Sequence, residues 1–200
     1  YESMHFGPHG ACFKTGPIAA HARPHINVEL KGRAIAAIPK STAVIAELFA
    51  KLAEDLEINV SRLDVDIDIH QNVPSPTHWE EARINGTLKT KSRDTTFTRS
   101  QDGDTFYVGS RHSDKRLLVY NRRGFNRHEM KFKAAYANQT IWKYLKAPEK
   151  TARAMLNSIA TVDSDWFREF QASPLELDKF GSAATPEIDR WEAHFVKQFM

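Results

Sequence analysis

The strictest alternation in the chain lies in VSRLDVDIDIH, residues 60–70, where Leu63, Val65, Ile67 and Ile69 fall on one side and Arg62, Asp64, Asp66 and Asp68 on the other. A period of two belongs to a β-strand with one buried and one solvated face. HINVEL, residues 25–30, alternates through Ile26, Val28 and Leu30 and predicts another strand. Between the two the period lengthens. Ser41 is placed to cap a helix carrying Val44, Ile45, Leu48, Phe49, Leu52 and Leu56 at helical spacing. A short helix over PTHWEEARIN is stopped by Gly86, and the polar stretch from there to Gly103 reads as a long loop or weak strands. Residues 105–109 and 115–121 predict a hairpin across Gly109-Ser110-Arg111, and RHEMKFK, 127–133, predicts a third strand after a turn around Gly124. The remainder reads as helices over 134–146, 148–160, 163–171 and 185–199, with Pro148 and Thr185-Pro186 opening two of them. In the last helix Ile188, Trp191, Phe195 and Phe199 form an apolar stripe that reads as core packing. Residues 1–24 hold glycine, proline and histidine without periodicity and are expected to be loop or frayed strand. Strands with interspersed helices, then a helical tail, imply an α+β fold: a mostly antiparallel β-sheet flanked by helices. The expected division is a domain over 1–146 and a helical C-terminal extension over 147–200.

Composition adds little to this picture and charge adds more. With 200 residues, 41% hydrophobic and 26% charged, the chain is an ordinary globular one with a single main core. The net charge is +3, yet Arg111 to Lys133 holds eight Lys and Arg against Asp114 and Glu129, so the positive charge is local and the rest is slightly acidic. One cysteine, Cys12, excludes an internal disulfide and fits a reducing compartment. No apolar run approaches the roughly 20 residues of a membrane span, so a cytoplasmic protein without a membrane partner is expected. The chain opens on Tyr1 rather than Met, which suggests that an N-terminal segment is missing.

Asp64, Asp66 and Asp68, at i, i+2 and i+4, stand about 7 Å apart in succession on one strand face and repel one another unless a positive charge lies between them. A divalent cation such as Mg²⁺ or Mn²⁺ would serve, with phosphate completing its shell; a merely solvated acidic face is the alternative. In RHEMKFK the acid Glu129 shares a face with Arg127, Lys131 and Lys133, while His128, Met130 and Phe132 take the other. Such a face is either an ion-pair lattice or a metal ligand within a phosphate-binding surface. Tyr107 and Tyr120 fall in the hairpin strands, and Tyr136 and Tyr144 on the helix after the third strand. A phenol is a packing residue unless a base or metal helps to remove its proton. His5, His9, His21 and His25, with Cys12 among them, match no closed zinc-site spacing. His70 and His78 flank a loop, and no Gly-rich phosphate loop, nucleophile elbow or paired CxxC is present.

In order and spacing, VSRLDVDIDI, GDTFYVGSRHSDKRLLVYNRRG and RHEMKFK resemble the replication initiation factor (Rep_trans-type) family, the rolling-circle initiators of small plasmids and filamentous phages, with related relaxases. The resemblance covers roughly residues 25–146 and is most specific at the GSR turn; where the family usually ends a strand RxYDK, this chain reads VYNRR. It implies metal-dependent nicking of one DNA strand by a tyrosine that stays joined to the 5′-phosphate and leaves a 3′-hydroxyl primer. Carried over, Arg62, Asp64 and Asp68 occupy the first motif and Glu129 the acidic position of the last. Asp64, Asp68 and Glu129 are therefore the expected ligands of Mg²⁺ or Mn²⁺, and Asp66 is extra. Arg62, Ser110, Arg111, Lys115, Arg116, Arg122, Arg123, Arg127, Lys131 and Lys133 are the expected DNA contacts. Tyr136, on the helix after the Glu129 strand, is the first choice of nucleophile and Tyr144 the second. The rival readings are a catalytically inactive binder of origin or single-stranded DNA, a conjugative relaxase, and a metal-dependent nuclease without a covalent tyrosine. An acid cluster that repels DNA favours the enzyme. The resemblance also implies a bacterial cytoplasmic setting, a homodimer and a host helicase partner. The helices after 147 have no assigned role: origin contact, subunit pairing and sheet cover all fit.

Overall fold

The computed structural model describes residues 2–6, 11–15, 26–29, 44, 45, 47, 48, 50, 51, 59–70, 73–122 and 124–175. They belong to two compact units, residues 1–45 with 178–200, and residues 46–177. In the first, β1 (Glu2–Phe6), β2 (Ala11–Thr15) and β3 (Ile26–Glu29) form an antiparallel sheet in that order. β3 falls where Ile26 and Val28 alternate with polar neighbours, and β1 and β2 occupy a stretch expected to be loop or frayed strand. The expected helix 185–199, Ser41 with much of the helix it would cap, and Arg123 lie outside the described residues; positions 44, 45, 47, 48, 50 and 51 are helical.

The second unit is built on a five-stranded antiparallel sheet. Its elements are β4 (Arg62–Ile69), α1 (Pro76–Ile84), β5 (Leu88–Thr90), β6 (Thr95–Ser100), β7 (Gly103–Val108), β8 (Lys115–Arg122), β9 (Phe125–Lys133), α2 (Ala134–Lys146), α3 (Pro148–Ile159), β10 (Ala160–Val162) and α4 (Asp165–Ala172). The sheet order is β4-β9-β8-β7-β6: a meander from β6 to β9, closed by β4 along the far side of β9. β5 pairs instead with β10, a three-residue strand where the sequence predicts the end of a helix; Val162 meets Leu88 and Ala160 meets Thr90. Three residue pairs of cross-strand pairing thus override the helical reading of 160, and of the loop or weak strands expected before Gly103 it is the strands, β5 and β6, that form.

All four helices cover the same face. Val65 and Ile67 of β4, Phe106 and Val108 of β7, Leu117 and Val119 of β8, and Met130 and Phe132 of β9 form one buried cluster with Trp79, Ala137, Leu156 and Phe167 from the helices. The core therefore draws on residues on both sides of 146. A sheet covered on one side alternates hydrophobic-in and polar-out on every strand, as β4 and β9 do. Gly109 makes the β7–β8 turn possible: it sits at φ +95°, where a Cβ would stand 2.8 Å from the Lys115 carbonyl oxygen. The turn is cross-linked by the Ser110 backbone N–H donating to Ser113 Oγ at 3.0 Å and the His112 N–H donating to Ser110 Oγ at 3.2 Å.

The one polar pair in the centre of this core is Trp79 with His128. Trp79 Nε1 donates to His128 Nε2 at 2.9 Å, which leaves the neutral ring's proton on Nδ1, where no acceptor is found among the described residues. Phe170 stacks on the ring at 5.5 Å. Burial in this apolar setting pushes His128 down to about 3, against 6.5 for a free histidine. The unfolded chain therefore binds an extra proton between those values, so stability is complete above pH 6.5 and falls as pH drops towards 3, by at most about 1.4 kcal/mol per pH unit. His128→Gln keeps an acceptor for the indole and removes the titration. Chemical denaturation across this window is expected to show a shallower acid-side loss for His128→Gln than for the wild type; parallel profiles would exclude His128 as the source.

Candidate functional site

The face of the sheet that the helices leave open carries the chemistry. Strand register sets its rows: Asp64 lies opposite Lys131, Asp66 opposite Glu129, and Asp68 opposite Arg127. On the other side of β9, Arg116 lies opposite Lys131, Leu118 opposite Glu129 and Tyr120 opposite Arg127. Across β8, Tyr107 faces Leu118 and Thr105 faces Tyr120. Directly opposed residues of an antiparallel pair have Cβ atoms about 5 Å apart. Asp66, Glu129 and Tyr120 therefore gather around Arg127 on three adjacent strands.

Arg127 is the hub. Its guanidinium is 8% exposed; Nε and Nη2 each donate to an Asp68 carboxylate oxygen at 2.6 Å, and Nη1 lies 2.9 Å from Asp66 Oδ2. Across β8 and β9 it lies directly opposite Tyr120. Burial pulls its pKa down, but the Asp68 hydrogen bonds and the charges of Asp66 and Asp68 outweigh that and hold it above the ordinary value. Arg62 clamps Asp64 through Nε at 2.9 and 3.1 Å with a further bond from Nη2, and Lys131 Nζ lies 2.9 Å from Glu129. Lys133 of β9 and Arg116 and Arg122 of β8 share this face, so cations outnumber the four carboxylates; two acids nonetheless oppose each other at its centre, Asp66 held by Arg127 and Glu129 by Lys131. Burial first, then Glu129, Asp68 and Asp64, push Asp66 up to about 6 against the pull of Arg127. Burial, Glu129 and Asp66 likewise raise the Tyr120 phenol, while Arg127 lowers it.

The expected residues are not all brought together. Asp64 and Asp68 sit at opposite ends of the acidic row, each in a two-pronged contact with an arginine. Among the described residues no three of His, Cys, Asp and Glu are grouped to hold a metal ion. On donor chemistry, the opposed pair Asp66 and Glu129 fits a hard divalent cation best, since Mg²⁺ is often held by one or two carboxylates with substrate phosphate completing the shell. Asp66, extra to the motif, is thus the acid in the central position. Tyr136 lies on the helix-covered side: its ring is 6.3 Å from that of Phe132, the Lys115 ammonium stands 4.2 Å over it, and it is 43% exposed. Tyr144 packs against the core. Neither shares a face with the acids, and Tyr120 does. The signal for Tyr120 was its parity on β8, which shows only once β8 is registered on β9.

The expected DNA contacts divide three ways. Arg62, Arg127 and Lys131 are engaged by the acids. Lys115, Arg116 and Arg122 lie against the aromatic rings of Tyr136, Tyr107 and Phe125. Arg111 is exposed in the turn beside Ser110, and its carbonyl accepts a 2.8 Å bond from Lys133 Nζ, which ties the turn to the end of β9. His5, His9, His21, His25 and Cys12 have no described side chains.

No protein-family profile and no curated protein matches the chain. A solved structure does: the rolling circle replication initiator protein from Geobacillus stearothermophilus is similar in fold, with a TM-score of 0.57 and 16% identity over 86% of this chain and 71% of that one.

Proposed function

We propose that the chain is a replication initiator of the rolling-circle kind, which cuts one DNA strand by transferring its 5′-phosphate to Tyr120. The observation that supports this reading is the meeting of Tyr120, Asp66 and Glu129 around the buried Arg127 on an open sheet face. The fold likeness to a rolling-circle initiator agrees with it.

The chain's own groups supply most of the steps. Burial, Glu129 and Asp66 hold the Tyr120 phenol above its ordinary pKa, and the Arg127 charge opposite it acts against them in favour of the anion. With Asp66 given to the cation, the phenol's proton passes to solvent water. The Tyr120 oxygen then forms a bond to phosphorus while the bond to the 3′ oxygen breaks, and that oxygen leaves as a hydroxyl after taking a proton from water. Arg116 and Arg122, which have no carboxylate partner among the described residues, can hold flanking phosphates. A divalent cation held by Asp66 and Glu129 would polarise the phosphate and offset the charge gathered on it.

The acids have arginine and lysine partners already, and this favours one other reading, a binder without catalysis. Incubating the chain with supercoiled and single-stranded origin DNA, with Mn²⁺ or EDTA, separates the two. The expected result is a metal-dependent covalent protein–DNA adduct that Tyr136→Phe and Tyr144→Phe still form and Tyr120→Phe reduces by ~10³-fold or more. Loss of the adduct in Tyr136→Phe or Tyr144→Phe alone would move the nucleophile to α2; tight, salt-sensitive binding with no adduct at all would establish the binder.

A second outcome concerns stability. A folded pKa raised from 3.8 to about 6 means that the charged Asp66 opposes folding, fully so above pH 6 and not at all below 3.8. The side chain is 38% exposed, so solvent screens the penalty to about 1 kcal/mol. At pH 8 without metal, Asp66→Asn is expected to melt a few degrees above the wild type, the gap closing towards pH 4. Mn²⁺ should raise the wild-type melting temperature and leave that of Asp66→Asn nearly unchanged. Equal metal shifts in the two proteins would exclude Asp66 as a ligand.

A further inference from the structure

Two aromatic rings on the open face bracket the Tyr120 cluster, and each lies beside an arginine that no carboxylate neutralises. At one end Phe125 of β9 is opposite Arg122 of β8, whose guanidinium carbon is 5.7 Å from the ring centroid; the His70 ring, at the end of β4, is 5.4 Å away. At the other end the Arg116 guanidinium carbon is 4.9 Å from the Tyr107 ring centroid, and its Nε is covered and finds no acceptor among the described residues. Among the described residues neither Arg116 nor Arg122 has a carboxylate within ion-pair distance, although Arg62, Arg127 and Lys131 on the same face all do. Parity fixes the arrangement: residues 116, 118, 120 and 122 of β8 share the face, so the brackets are separated by roughly 20 Å of strand with Tyr120 between them. Tyr120 is one alternation from Arg122 and two from Arg116.

We propose that these brackets are base-stacking subsites for a single DNA strand that runs along β8 through the cluster, with Phe125 and Tyr107 stacking bases on either side of the cut and Arg122 and Arg116 holding the phosphates beside them. The position of the cut rests on the nicking reading; the binding of the strand does not. Cations spaced along a groove with aromatic rings between them are how single strands are bound without sequence readout, because every base offers a π-face. A duplex buries those faces in its own stack, so half-buried rings on this face would select unpaired DNA. The threonine hydroxyls on this face, Thr105 opposite Tyr120 and Thr96 opposite Tyr107, add uncharged hydrogen-bonding groups along the same path.

The test uses the full chain carrying Tyr120→Phe, in EDTA, so that no cleavage contributes, with a short fluorescein-labelled oligothymidylate and a duplex of equal length as probes. Phe125→Leu and Tyr107→Leu are each expected to weaken oligothymidylate binding at least about fivefold, and the double variant more, while Tyr107→Phe and Phe125→Trp bind as their parent does. The duplex should bind more weakly and respond little to these changes. Leucine variants that bind like the parent, or a duplex bound equally well with the same losses, would overturn the proposal. Photocross-linking of the unaltered chain to oligothymidylate carrying 5-iododeoxyuridine gives a readout that no folding defect can confuse: adducts at Phe125 and Tyr107 support the brackets, and adducts confined to other residues overturn them. Bracket-dependent binding by a wild-type chain that forms no covalent adduct would refute the nicking reading and leave the brackets standing.

Discussion

Arg127 carries its charge where only 8% of the residue meets solvent, and its bonds to Asp68 and Asp66 tie β9 to β4 on the open face, with Tyr120 of β8 opposite it. Desolvating a guanidinium costs several kcal/mol, and only a nearly complete set of partners returns it. Two-pronged geometry with Asp68 supplies most of that return and takes Asp68 out of the pool of free anions. What remains at the centre is a pair of opposed acids, each with one cationic partner, and a phenol beside them. Burial and like-charged groups held this close shift protonation, as the raised pKa of Asp66 shows, and such shifts gather at functional sites.

The covered face makes the open one possible. Packing all four helices on one side gives the sheet a dense core behind β9, with Trp79, His128 and Phe170 in contact directly beneath the strand that presents Arg127 and Glu129. Residues 127 and 129 point outward and residues 128 and 130 inward, so the rigidity of the core is transmitted to the site through one strand. The same layering keeps α1 to α4 off the face that carries the acids and Tyr120.

Much of this was legible from spacing alone. The alternations in 60–70 and 127–133 place the residues of β4 and residues 127–133 of β9 on the faces they take, while Phe125 and Asn126 at the start of β9 fall outside that reading; Gly86 and Gly124 mark turns at φ +72° and +84°. The motif acids were legible as residue types, but not their partners: a linear pattern cannot show that Arg127 would take Asp68, because that depends on β4 closing against β9 from 59 residues away. Tyr136 drew attention through its helix and its nearness in sequence to Glu129, yet a helix that buries Ala137 and Ile141 must lie on the covered side. β10 escaped notice since three residues carry no readable period, and its pairing with β5 is settled by packing. The likeness to a rolling-circle initiator entered the sequence through the GSR turn, and Gly109, whose Cβ would strike the Lys115 carbonyl, gives that turn a steric reason.

The central claim is that the tyrosine joined to DNA is the one beside the opposed acids. Trapping the adduct on a nicked origin strand, digesting the protein and mapping by mass spectrometry the peptide that carries the nucleotide tests it most directly. The account predicts the modification on Tyr120 in the β8 peptide; a nucleotide on the α2 peptide, at Tyr136 or Tyr144, would contradict it.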